Sequence, residues 1–328
     1  MRVLRGDPLR WGPLRPHGAA ITIGVFDGVH LGHRKVIEEL TALAAAERLD
    51  TVALTFDRHP LEVVAPDKAP RLLSSVEDRL SVFEQLGVDV SGVLPFDEVR
   101  SMEAESFVEG VLVGALGARV VAVGTDFRFG HDRRGDVGLL EAMGERFGFE
   151  VDQVPLLSEG DGPMSSTRIR EMLEAGDVAA AGEALGRHFT LTGVVVHGDG
   201  RGRSIGVPTA NLEVDERLAL PGTGVYAAFA DVGDVTYKAA VNVGMRPTFD
   251  GERLTVEAHL LDLPGNLDLY GKTLTVQFVD RIRPEHRFAG ADELVAQIHA
   301  DIEQARGRLE RAAPGAVSPG VPPGTTAP

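Results

Sequence analysis

The chain has 328 residues, a length that favours two domains over one. It contains no cysteine, which excludes disulfides, thiolate metal sites and a cysteine nucleophile. Its formal net charge of −16 argues against nucleic-acid partners, although a few local cations would suffice to bind a small phosphorylated ligand.

The sequence shows no pattern typical of export or of membrane insertion. Residues 1–12 lack the apolar segment of a signal peptide. The apolar stretch 110–124 is interrupted by Arg119, so it is too short for a membrane-spanning helix. We therefore expect a soluble cytoplasmic protein that does not interact with membranes.

The first half of the chain alternates between apolar strand patterns and amphipathic helix patterns. The patterns predict strands at 20–26, 51–56, 90–96, 119–124 and 150–155, and helices at 34–49, 75–87, 105–117 and 136–148. Because this spacing is typical of βαβ units, we predict a Rossmann-like α/β domain over residues 1–170, with a parallel sheet and helices on both faces.

The second half has a different character. Two short helices are predicted over residues 166–186, of which 171–186 would form a helical linker. Strand patterns rich in Val, Thr and Phe follow at 188–200, near 209, and at 222–244, 253–263 and 272–283. They predict an antiparallel β-barrel or sandwich over residues 187–311, closed by a C-terminal helix at 291–312. The Pro- and Gly-rich residues 312–328 are expected to be disordered.

Residues 24–33, Gly-Val-Phe-Asp-Gly-Val-His-Leu-Gly-His, join the first predicted strand to the first predicted helix. Ligands of parallel sheets bind at the carboxyl ends of strands, and a helix N-terminus stabilises an anion. His30 and His33 could donate hydrogen bonds to phosphoryl oxygens as charge develops in a transition state. The spacing alone leaves two alternatives open: a simple turn with two exposed histidines, or a metal pair, which lacks further ligands nearby.

Two later segments are candidates for the same site. Residues 124–136 contain an aromatic pair, Phe127 and Phe129, in a loop that could also be an arginine-rich solvated loop. Residues 164–170, Met-Ser-Ser-Thr-Arg-Ile-Arg, begin a predicted helix with three hydroxyl side chains and place Arg170 one turn later. Hydroxyls, helix N–H groups and an arginine suit a phosphate, although one hydroxyl would already satisfy an ordinary helix cap.

The glycine-rich segment 198–214 precedes the strand near residue 209. No G-x-x-x-x-G-K-[ST] pattern occurs, which excludes a P-loop kinase, but backbone N–H groups of such a loop can still wrap phosphates. Thr209 and Asn211 carry short oxygen donors that suit Mg²⁺. Taken alone, the segment is more typical of a β-turn. Glu257 lies in an apolar strand, where a solvated outer face is the simplest explanation.

These motifs resemble those of the bacterial bifunctional riboflavin kinase/FMN adenylyltransferase family, also called FAD synthetases. Residues 24–33 resemble the family's G-x-F-D-G-x-H-x-G-H signature, and residues 124–130 resemble its G-x-[DN]-F-x-F-G loop. Residues 164–170 resemble I-S-S-T-x-I-R, with Met164 in place of the usual isoleucine. Residues 206–211, Gly-Val-Pro-Thr-Ala-Asn, resemble the riboflavin kinase motif G-x-P-T-A-N, and the similarity continues to residue 288.

The resemblance implies that the first domain is a nucleotidyltransferase, which transfers AMP from ATP to FMN and releases pyrophosphate. It implies His30, His33 and Arg170 as catalytic residues, and Asp126 and Phe127 as flavin contacts. The residues that it assigns to nucleotide and phosphate binding are Gly24, Phe26, Asp27, Gly28, Gly32, Ser165, Ser166 and Thr167. Attacking and leaving groups are already anionic, so positioning and charge neutralisation would carry this reaction.

The resemblance implies that the barrel is a riboflavin kinase. Thr209 and Asn211 would bind Mg²⁺, Gly202 and Gly206 would bind the nucleotide, and Glu257 would be the general base on the ribityl hydroxyl. The expected small molecules are riboflavin and ATP as substrates, FMN and FAD as products, and Mg²⁺ as cofactor. The alternatives are an FMN adenylyltransferase whose barrel only binds flavin, and an RNA-linked nucleotidyltransferase, which the acidic composition disfavours. The sequence predicts no oligomeric state.

Overall fold

The computed structural model describes residues 1–12, 17–155, 158–159, 162–198, 202, 205–248, 251–264, 267–286 and 288–315. The chain forms two compact units, Met1–Ser165 and Ser166–Pro328. The predicted disordered tail lies outside the described residues beyond Gly315, and so do several positions of the glycine-rich loop.

The first unit contains a six-stranded parallel sheet. Its strands are β1 (Arg2–Leu4), β2 (Ala19–Ile23), β3 (Asp50–Phe56), β4 (Val90–Leu94), β5 (Ala118–Gly124) and β6 (Glu150–Val154). Their order across the sheet is β1-β4-β3-β2-β5-β6, and every neighbouring pair is parallel. This confirms the predicted parallel sheet. The short edge strand β1 was not predicted, because three residues carry too little periodicity to distinguish a strand from a loop.

Helices flank the sheet of the first unit. They are α1 (Leu31–Glu47), α2 (Pro60–Val64), α3 (Val76–Gln85), α4 (Phe96–Val99), α5 (Ala104–Phe107) and α6 (Val137–Phe147), with short 3₁₀ turns at Pro8–Arg10, Pro66–Lys68 and His131–Arg133. A π-helix, Val108–Ala115, continues α5, and a small hairpin of β7 (Ser158–Glu159) and β8 (Gly162–Pro163) ends the unit.

Successive residues of β2 show that both faces of this sheet are covered. Ala20 packs in a cluster with Leu40 of α1, whereas Ile21 belongs to a second cluster with Leu112 of the π-helix. Because neighbouring side chains of a strand point to opposite faces, the helices must lie on both sides of the sheet. The predicted layering is therefore confirmed.

The second unit contains a closed barrel. It begins with α7 (Ser166–Glu174) and α8 (Val178–Leu185) and continues with β9 (Phe189–Val196), β10 (Ala210–Glu213), β11 (Gly224–Val232), β12 (Val235–Thr248), β13 (Gly251–Leu260), β14 (Thr273–Pro284) and α9 (Ala291–Leu309). The barrel order is β10-β13-β12-β11-β14-β9, and every described pairing is antiparallel. The barrel prediction is thus confirmed in its closed form, and the sandwich alternative is excluded.

The C-terminal helix packs on the outside of the barrel. Ala305 and Leu309 of α9 form an apolar cluster with Ala227 and Phe229 of β11. After the helix, Gly315 donates its backbone N–H to Gln277 Oε1 at 2.8 Å. The first residues of the predicted tail are therefore held against strand β14. None of the helices among the described residues has both the length and the apolar composition of a membrane span.

Candidate functional site

The loop after β2 places two histidines at the start of α1. His30 is the residue that caps the helix, and its Nδ1 accepts a hydrogen bond from the backbone N–H of His33 at 3.4 Å. Because Nδ1 acts as an acceptor, the proton of the neutral ring lies on Nε2, which is a donor. His30 is only 6% exposed and His33 is half-buried, so the alternative of two exposed histidines in a simple turn is wrong.

The two imidazoles are stacked on each other. Their ring centroids are 3.7 Å apart with an interplanar angle of 18°, and the His33 ring also meets the Phe26 ring edge-on at 5.2 Å. A Cβ atom at Gly32 would lie 3.1 Å from Cε1 of His30, so the glycine leaves the room that the His30 ring occupies. The structure thus brings together the two histidines that the sequence singled out.

The environment of His33 favours its neutral form. Burial is the largest cause that lowers the pKa of His33 well below its usual range, and the charges of His30 and Arg79 lower it further. Within the described part of the chain, its buried Nδ1 has no hydrogen-bond partner. At neutral pH the ring is therefore an uncharged hydrogen-bonding group rather than a fixed cation.

The backbone of this loop adopts unusual conformations. Phe26 and Val29 have positive φ angles of 51° and 41°, and Gly28 lies between them with a φ of 78°. A Cβ atom at Gly24 would lie 3.0 Å from the Phe26 ring, so this glycine accommodates the folded-back ring. Positive φ is unfavourable for a bulky or β-branched residue, so the surrounding structure must hold the loop in place.

Asp27 and Gly28 direct their polar groups into the protein. The Oδ1 atom of Asp27 accepts hydrogen bonds from the backbone N–H groups of Leu73 at 2.8 Å and Ser74 at 3.3 Å. The N–H of Gly28 donates to Oγ of Ser74 at 2.9 Å. These contacts tie the loop to the segment before α3. The nucleotide contacts assigned to Asp27 and Gly28 by family resemblance stay predictions.

The second predicted segment of the first site lies at the same edge of the sheet. Strand β5 is the parallel neighbour of β2, so the loops that follow both strands leave the sheet side by side. Asp126 is exposed in this loop, and Phe127 is half-buried and stacked on Phe129 with ring centroids 5.4 Å apart. An exposed carboxylate beside an aromatic platform is compatible with the predicted flavin contacts.

The third predicted segment lies where the two units divide. Ser165 is the last residue of the first unit, whereas Ser166, Thr167 and Arg170 belong to α7, the first helix of the second unit. As predicted, the hydroxyl residues are at the start of a helix. Their contribution to the first site stays a prediction.

In the second unit, three predicted residues converge on the outer face of the barrel. Asn211 of β10 lies directly opposite Glu257 of β13 in the strand register. The Oγ1 atom of Thr209 donates a hydrogen bond to Oε2 of Glu257 at 3.3 Å. The structure thus brings together a hydroxyl, an amide and a carboxylate, although Thr209 and Glu257 are 48 residues apart in the sequence.

Strand alternation places Glu257 outside the barrel. Its neighbours Val256 and Ala258 are fully buried, whereas Glu257 is half-buried. On the other side of β13, Asn242 of β12 is opposite Glu257, so the carboxylate is flanked by two asparagines. Asn242 was not among the residues predicted from the sequence. The sequence feature that could have identified Asn242 is its position as a single polar residue between two buried valines, Val241 and Val243.

A second carboxylate approaches the same face. A Cβ atom at Gly244 would lie 2.8 Å from Oε1 of Glu285 and 2.9 Å from Nδ2 of Asn242. The missing side chain of Gly244 therefore leaves space for the Glu285 carboxylate near Asn242. The segment around Glu285 was recognised from the sequence without a role for this residue, because only the fold brings its carboxylate within reach of Gly244 on β12.

The glycines of the loop before β10 permit close backbone approach. A Cβ atom at Gly198 would overlap the side-chain amide of Asn211, and one at Gly202 would overlap the carbonyl oxygen of Val207. The loop closes through a hydrogen bond of 2.8 Å from the Val207 N–H to the Gly202 carbonyl. Gly206 has a φ of 80°, a conformation that favours glycine. The phosphate contacts of Gly202 and Gly206 stay predictions, and residues 199–201 and 203–204 lie outside the described residues.

A cavity of about 820 Å³ adjoins Thr209. This volume falls within the range of small-molecule sites, and its wall is mostly apolar with a few polar groups. His259, on the outer face of β13, contacts the Pro208 carbonyl oxygen through Nδ1 at 2.8 Å. The lining residues are Val195, Pro208, Thr209, Ala210, Ala258, His259, Leu260, Asp262, Leu263, Pro264, Leu267, Asp268, Leu269 and Tyr270.

The donor set of the second site fits a magnesium ion. Mg²⁺ takes one or two protein oxygen ligands and completes its shell with water and substrate phosphates. Thr209 and Asn211 supply a hydroxyl and an amide oxygen, and the Glu257 carboxylate lies beside them. Among the described residues, no group of three or more His, Cys, Asp or Glu is arranged to hold a metal ion.

The two units together define a class of protein. The first unit has paired imidazoles at a helix N-terminus, and the second has a hydroxyl–amide–carboxylate cluster beside a cavity large enough for a nucleotide. Both arrangements are typical of enzymes that transfer phosphate-containing groups. The family model described as FAD synthetase matches residues 13–168, and the model described as riboflavin kinase matches residues 185–309.

Relatives of known name align with most of the chain. The bifunctional riboflavin kinase/FMN adenylyltransferase of Escherichia coli (strain K12) is 40% identical over 309 residues, which are 93% of this chain and 97% of that protein. The protein of the same name from Bacillus subtilis (strain 168) is 36% identical, covering 88% and 91%. A solved structure from Streptococcus pneumoniae, described as a macrolide-efflux protein, is 34% identical with a TM-score of 0.79, covering 90% of this chain and 98% of that one.

The chain therefore belongs to the bifunctional riboflavin kinase/FMN adenylyltransferase family. The family predicted from the motifs is confirmed. Because models for both activities match, the prediction of two activities is favoured over an adenylyltransferase with a non-catalytic barrel.

Proposed function

We propose that this chain phosphorylates riboflavin to FMN in its barrel unit and adenylylates FMN to FAD in its first unit. ATP is the donor in both reactions, with ADP and pyrophosphate as the respective by-products. One observation carries this proposal: the residues of each family signature meet in space, His30 against His33 in one unit and Thr209 against Glu257 in the other.

In the first unit, a terminal phosphate oxygen of FMN attacks the α-phosphorus of ATP, and the bond to the departing pyrophosphate breaks. No strong base is required, because the attacking oxygen already carries charge. His30 donates from Nε2 and His33 donates as a neutral imidazole, and both bonds strengthen as charge builds on the phosphoryl oxygens. The N-terminus of α1 adds its partial positive charge. Ser165, Ser166, Thr167 and Arg170 would complete the phosphate contacts.

In the barrel unit, the ribityl hydroxyl oxygen of riboflavin attacks the γ-phosphorus of ATP and ADP leaves. Glu257 accepts the hydroxyl proton, and its contact with Thr209 orients the carboxylate. Thr209 and Asn211 would hold Mg²⁺, which neutralises phosphate charge when it is bound. The backbone around Gly202 and Gly206 would wrap the phosphates, and the cavity beside Thr209 would receive the rest of the nucleotide.

Three further assignments belong to the same proposal. Residues 1–170 would carry the adenylyltransferase activity, residues 171–186 the connection, and residues 187–311 the kinase activity. Riboflavin, FMN and ATP would be the small-molecule partners, with no interaction with nucleic acid or membranes. A cytoplasmic location would supply ATP to both reactions.

The proposal is tested by incubating the full chain with riboflavin, ATP and Mg²⁺ and by resolving the flavins over time. We expect FMN to appear first and FAD to follow. FAD formed only from added FMN would support the alternative of an adenylyltransferase with a flavin-binding barrel. If neither flavin forms, while the E. coli relative converts riboflavin under the same conditions, the proposal is wrong.

A further inference from the structure

The histidine loop of the first unit needs an external support. Phe26 and Val29 both hold positive φ angles, which a β-branched side chain such as that of Val29 strongly disfavours. Such conformations persist only where neighbouring groups hold the backbone in place. The hydrogen bonds of Asp27 and Gly28 hold the middle of the loop, but its entry at Val25 requires a separate anchor.

A buried arginine provides this anchor. Arg79 lies on α3 and is only 3% exposed. Its Nη1 atom donates to the carbonyl oxygen of Val25 at 2.7 Å and to Oγ1 of Thr55 at 2.6 Å, and its Nε donates to the Ser75 carbonyl oxygen at 3.3 Å. All three bonds end on groups that are fixed in the fold, so the guanidinium joins helix α3 to the loop.

Thr55 completes the arrangement from the sheet. It is fully buried near the end of β3, the neighbour of β2, and its Oγ1 donates to the same Val25 carbonyl oxygen at 3.0 Å. The carbonyl of Val25 thus receives two hydrogen bonds, one from a helix and one from a strand. Val25 lies five residues before His30, so these bonds fix the point where the chain leaves the sheet towards the histidines.

Burying a charged guanidinium is costly, and such groups are retained where they make several fixed contacts. Burial lowers the pKa of Arg79, and the charge of Asp27 opposes that effect. The positive charge also contributes, after burial and His30, to the low pKa of His33. Arg79 thus contacts the loop and influences one of its two imidazoles.

We propose that Arg79 and Thr55 are positioning residues for adenylyl transfer, which hold the Val25 carbonyl so that His30 and His33 meet the reacting phosphate. This inference rests on the proposed function of the first unit. Neither side chain is placed to contact substrate, because both are buried beneath the loop. A displacement of about 1 Å at a catalytic group can cost about 10²-fold in rate, so the effect should appear in kcat.

The test uses full-length variants with steady-state adenylyl transfer to FMN as the readout. Thr55→Val removes the hydroxyl at nearly constant volume, and Thr55→Ser retains it as the matched control. Arg79→Lys keeps the charge but loses the planar group that reaches three acceptors. Riboflavin phosphorylation by the same chain reports whether each variant is intact.

We expect kcat for FAD formation to fall about 10-fold in Thr55→Val and about 10²-fold in Arg79→Lys, with KM values for FMN and ATP within about threefold. Thr55→Ser should keep kcat within about twofold of the unchanged chain. A purely structural role would lower thermal stability and leave kcat of the folded fraction unchanged.

Two results would overturn the inference. One is a kcat within about twofold of the unchanged chain in both Thr55→Val and Arg79→Lys. The other is a rise in KM alone, which would indicate ground-state binding rather than placement of the histidines. His33→Ala separates this failure from that of the proposed function. If His33→Ala retains full FAD formation, the proposed site itself is wrong; if only the Arg79 and Thr55 variants are unaffected, the positioning inference alone is wrong.

Discussion

A substitution of the single residue Glu257 should affect one of the two activities and leave the other intact. Glu257→Gln keeps the shape of the side chain and an acceptor for Thr209, but an amide cannot take the ribityl proton. We expect FMN formation from riboflavin to fall by about 10²–10⁴-fold, while FAD formation from added FMN continues. Separate initial-rate assays with riboflavin and with FMN measure the two effects.

The control for this variant is Glu213→Gln, which removes an exposed carboxylate at the end of β10. It should leave both rates unchanged. Unchanged riboflavin phosphorylation in Glu257→Gln would show that this residue is not the base and that the hydroxyl loses its proton without it.

His33 links the geometry of the first site to the pH dependence of stability. Its pKa is lowered in the folded chain, chiefly by burial, so below about pH 6.5 the unfolded chain binds a proton that the folded chain does not. The contribution of His33 is therefore fully present above that pH and is lost as the pH falls. The single tryptophan, Trp11, lies buried in the first unit and reports its unfolding.

We expect the melting temperature followed by Trp11 fluorescence to fall between pH 8 and pH 5, and to fall less steeply in His33→Gln. His17→Gln removes an exposed histidine from the same unit and serves as the control. The same slope in His33→Gln as in the unchanged chain would contradict the assignment of a depressed pKa to this ring.

The sequence predicted residues whose chemistry is local and overlooked those whose partners are distant. His30 and His33 are three apart and follow a strand, which was enough to place them together. Arg79 acts on Val25, which is 54 residues away, so no local pattern marks it. Similarly, Asn242 gains significance only because the barrel register sets it opposite Glu257.

At the level of elements, α1 shows why boundaries are hard to predict. The apolar pattern predicted a helix from residue 34, whereas α1 begins at Leu31. Histidine is not among the residues that commonly cap helices, so the pattern gave no start signal at His30. The consequence is functional: His33 lies in the first turn, where its ring stacks on that of His30.

The helix predicted at 105–117 differs in kind from the structure. Four residues of α5 are followed by a π-helix over Val108–Ala115. The buried positions Val108, Val111, Leu112 and Ala115 have the spacing of an ordinary α-helix, so the apolar pattern was read correctly as a buried face. The pattern of apolar residues does not indicate the change from α-helical to π-helical hydrogen bonding.

Gly198 allows an element-level test of the barrel site. A Cβ atom there would overlap the Asn211 amide, so Gly198→Ala should displace the side chain that is proposed to bind Mg²⁺. We expect riboflavin phosphorylation to fall about 10-fold or more and to require a higher Mg²⁺ concentration, with adenylyl transfer unaffected. Mg²⁺ titrations of both reactions measure this.

Gly307→Ala is the matched control, because Gly307 lies on the exposed side of α9 with open space around it. Both activities should remain at the level of the unchanged chain. An unaltered Mg²⁺ requirement in Gly198→Ala would argue that Asn211 does not hold the ion.

At the scale of the whole molecule, the fold class was predictable because each half repeats one pattern. Strand–helix alternation dictates a parallel sheet, and strands separated by glycine turns dictate antiparallel pairing. The boundaries of the two units were harder to predict from the sequence. Helices α7 and α8 lie within the second compact unit, whereas the sequence placed a boundary at residue 170, inside α7, and predicted a linker over residues 171–186. Their amphipathic patterns show that one face is buried, but not which partner covers it.

These helices decide how small a kinase fragment can be. Leu173 of α7 and Leu185 of α8 are fully buried, and the Leu173 carbonyl oxygen accepts a hydrogen bond of 2.8 Å from the Gly222 N–H at the barrel. Arg281 of β14 donates to the Ala175 carbonyl oxygen at 2.9 Å. A fragment of residues 187–311 would expose the barrel surface that these helices cover.

We therefore expect a fragment of residues 166–315 to phosphorylate riboflavin and to unfold cooperatively, and the 187–311 fragment to melt about 10 °C lower. Burial of one leucine contributes about 1.5–3 kcal/mol, and each kcal/mol shifts the melting temperature of such a domain by about 2–8 °C. Circular dichroism melts and riboflavin turnover of both fragments measure the difference. Equal melting temperatures would mean that α7 and α8 do not stabilise the barrel. The N-terminal limit of the kinase unit would then lie at its first strand, β9.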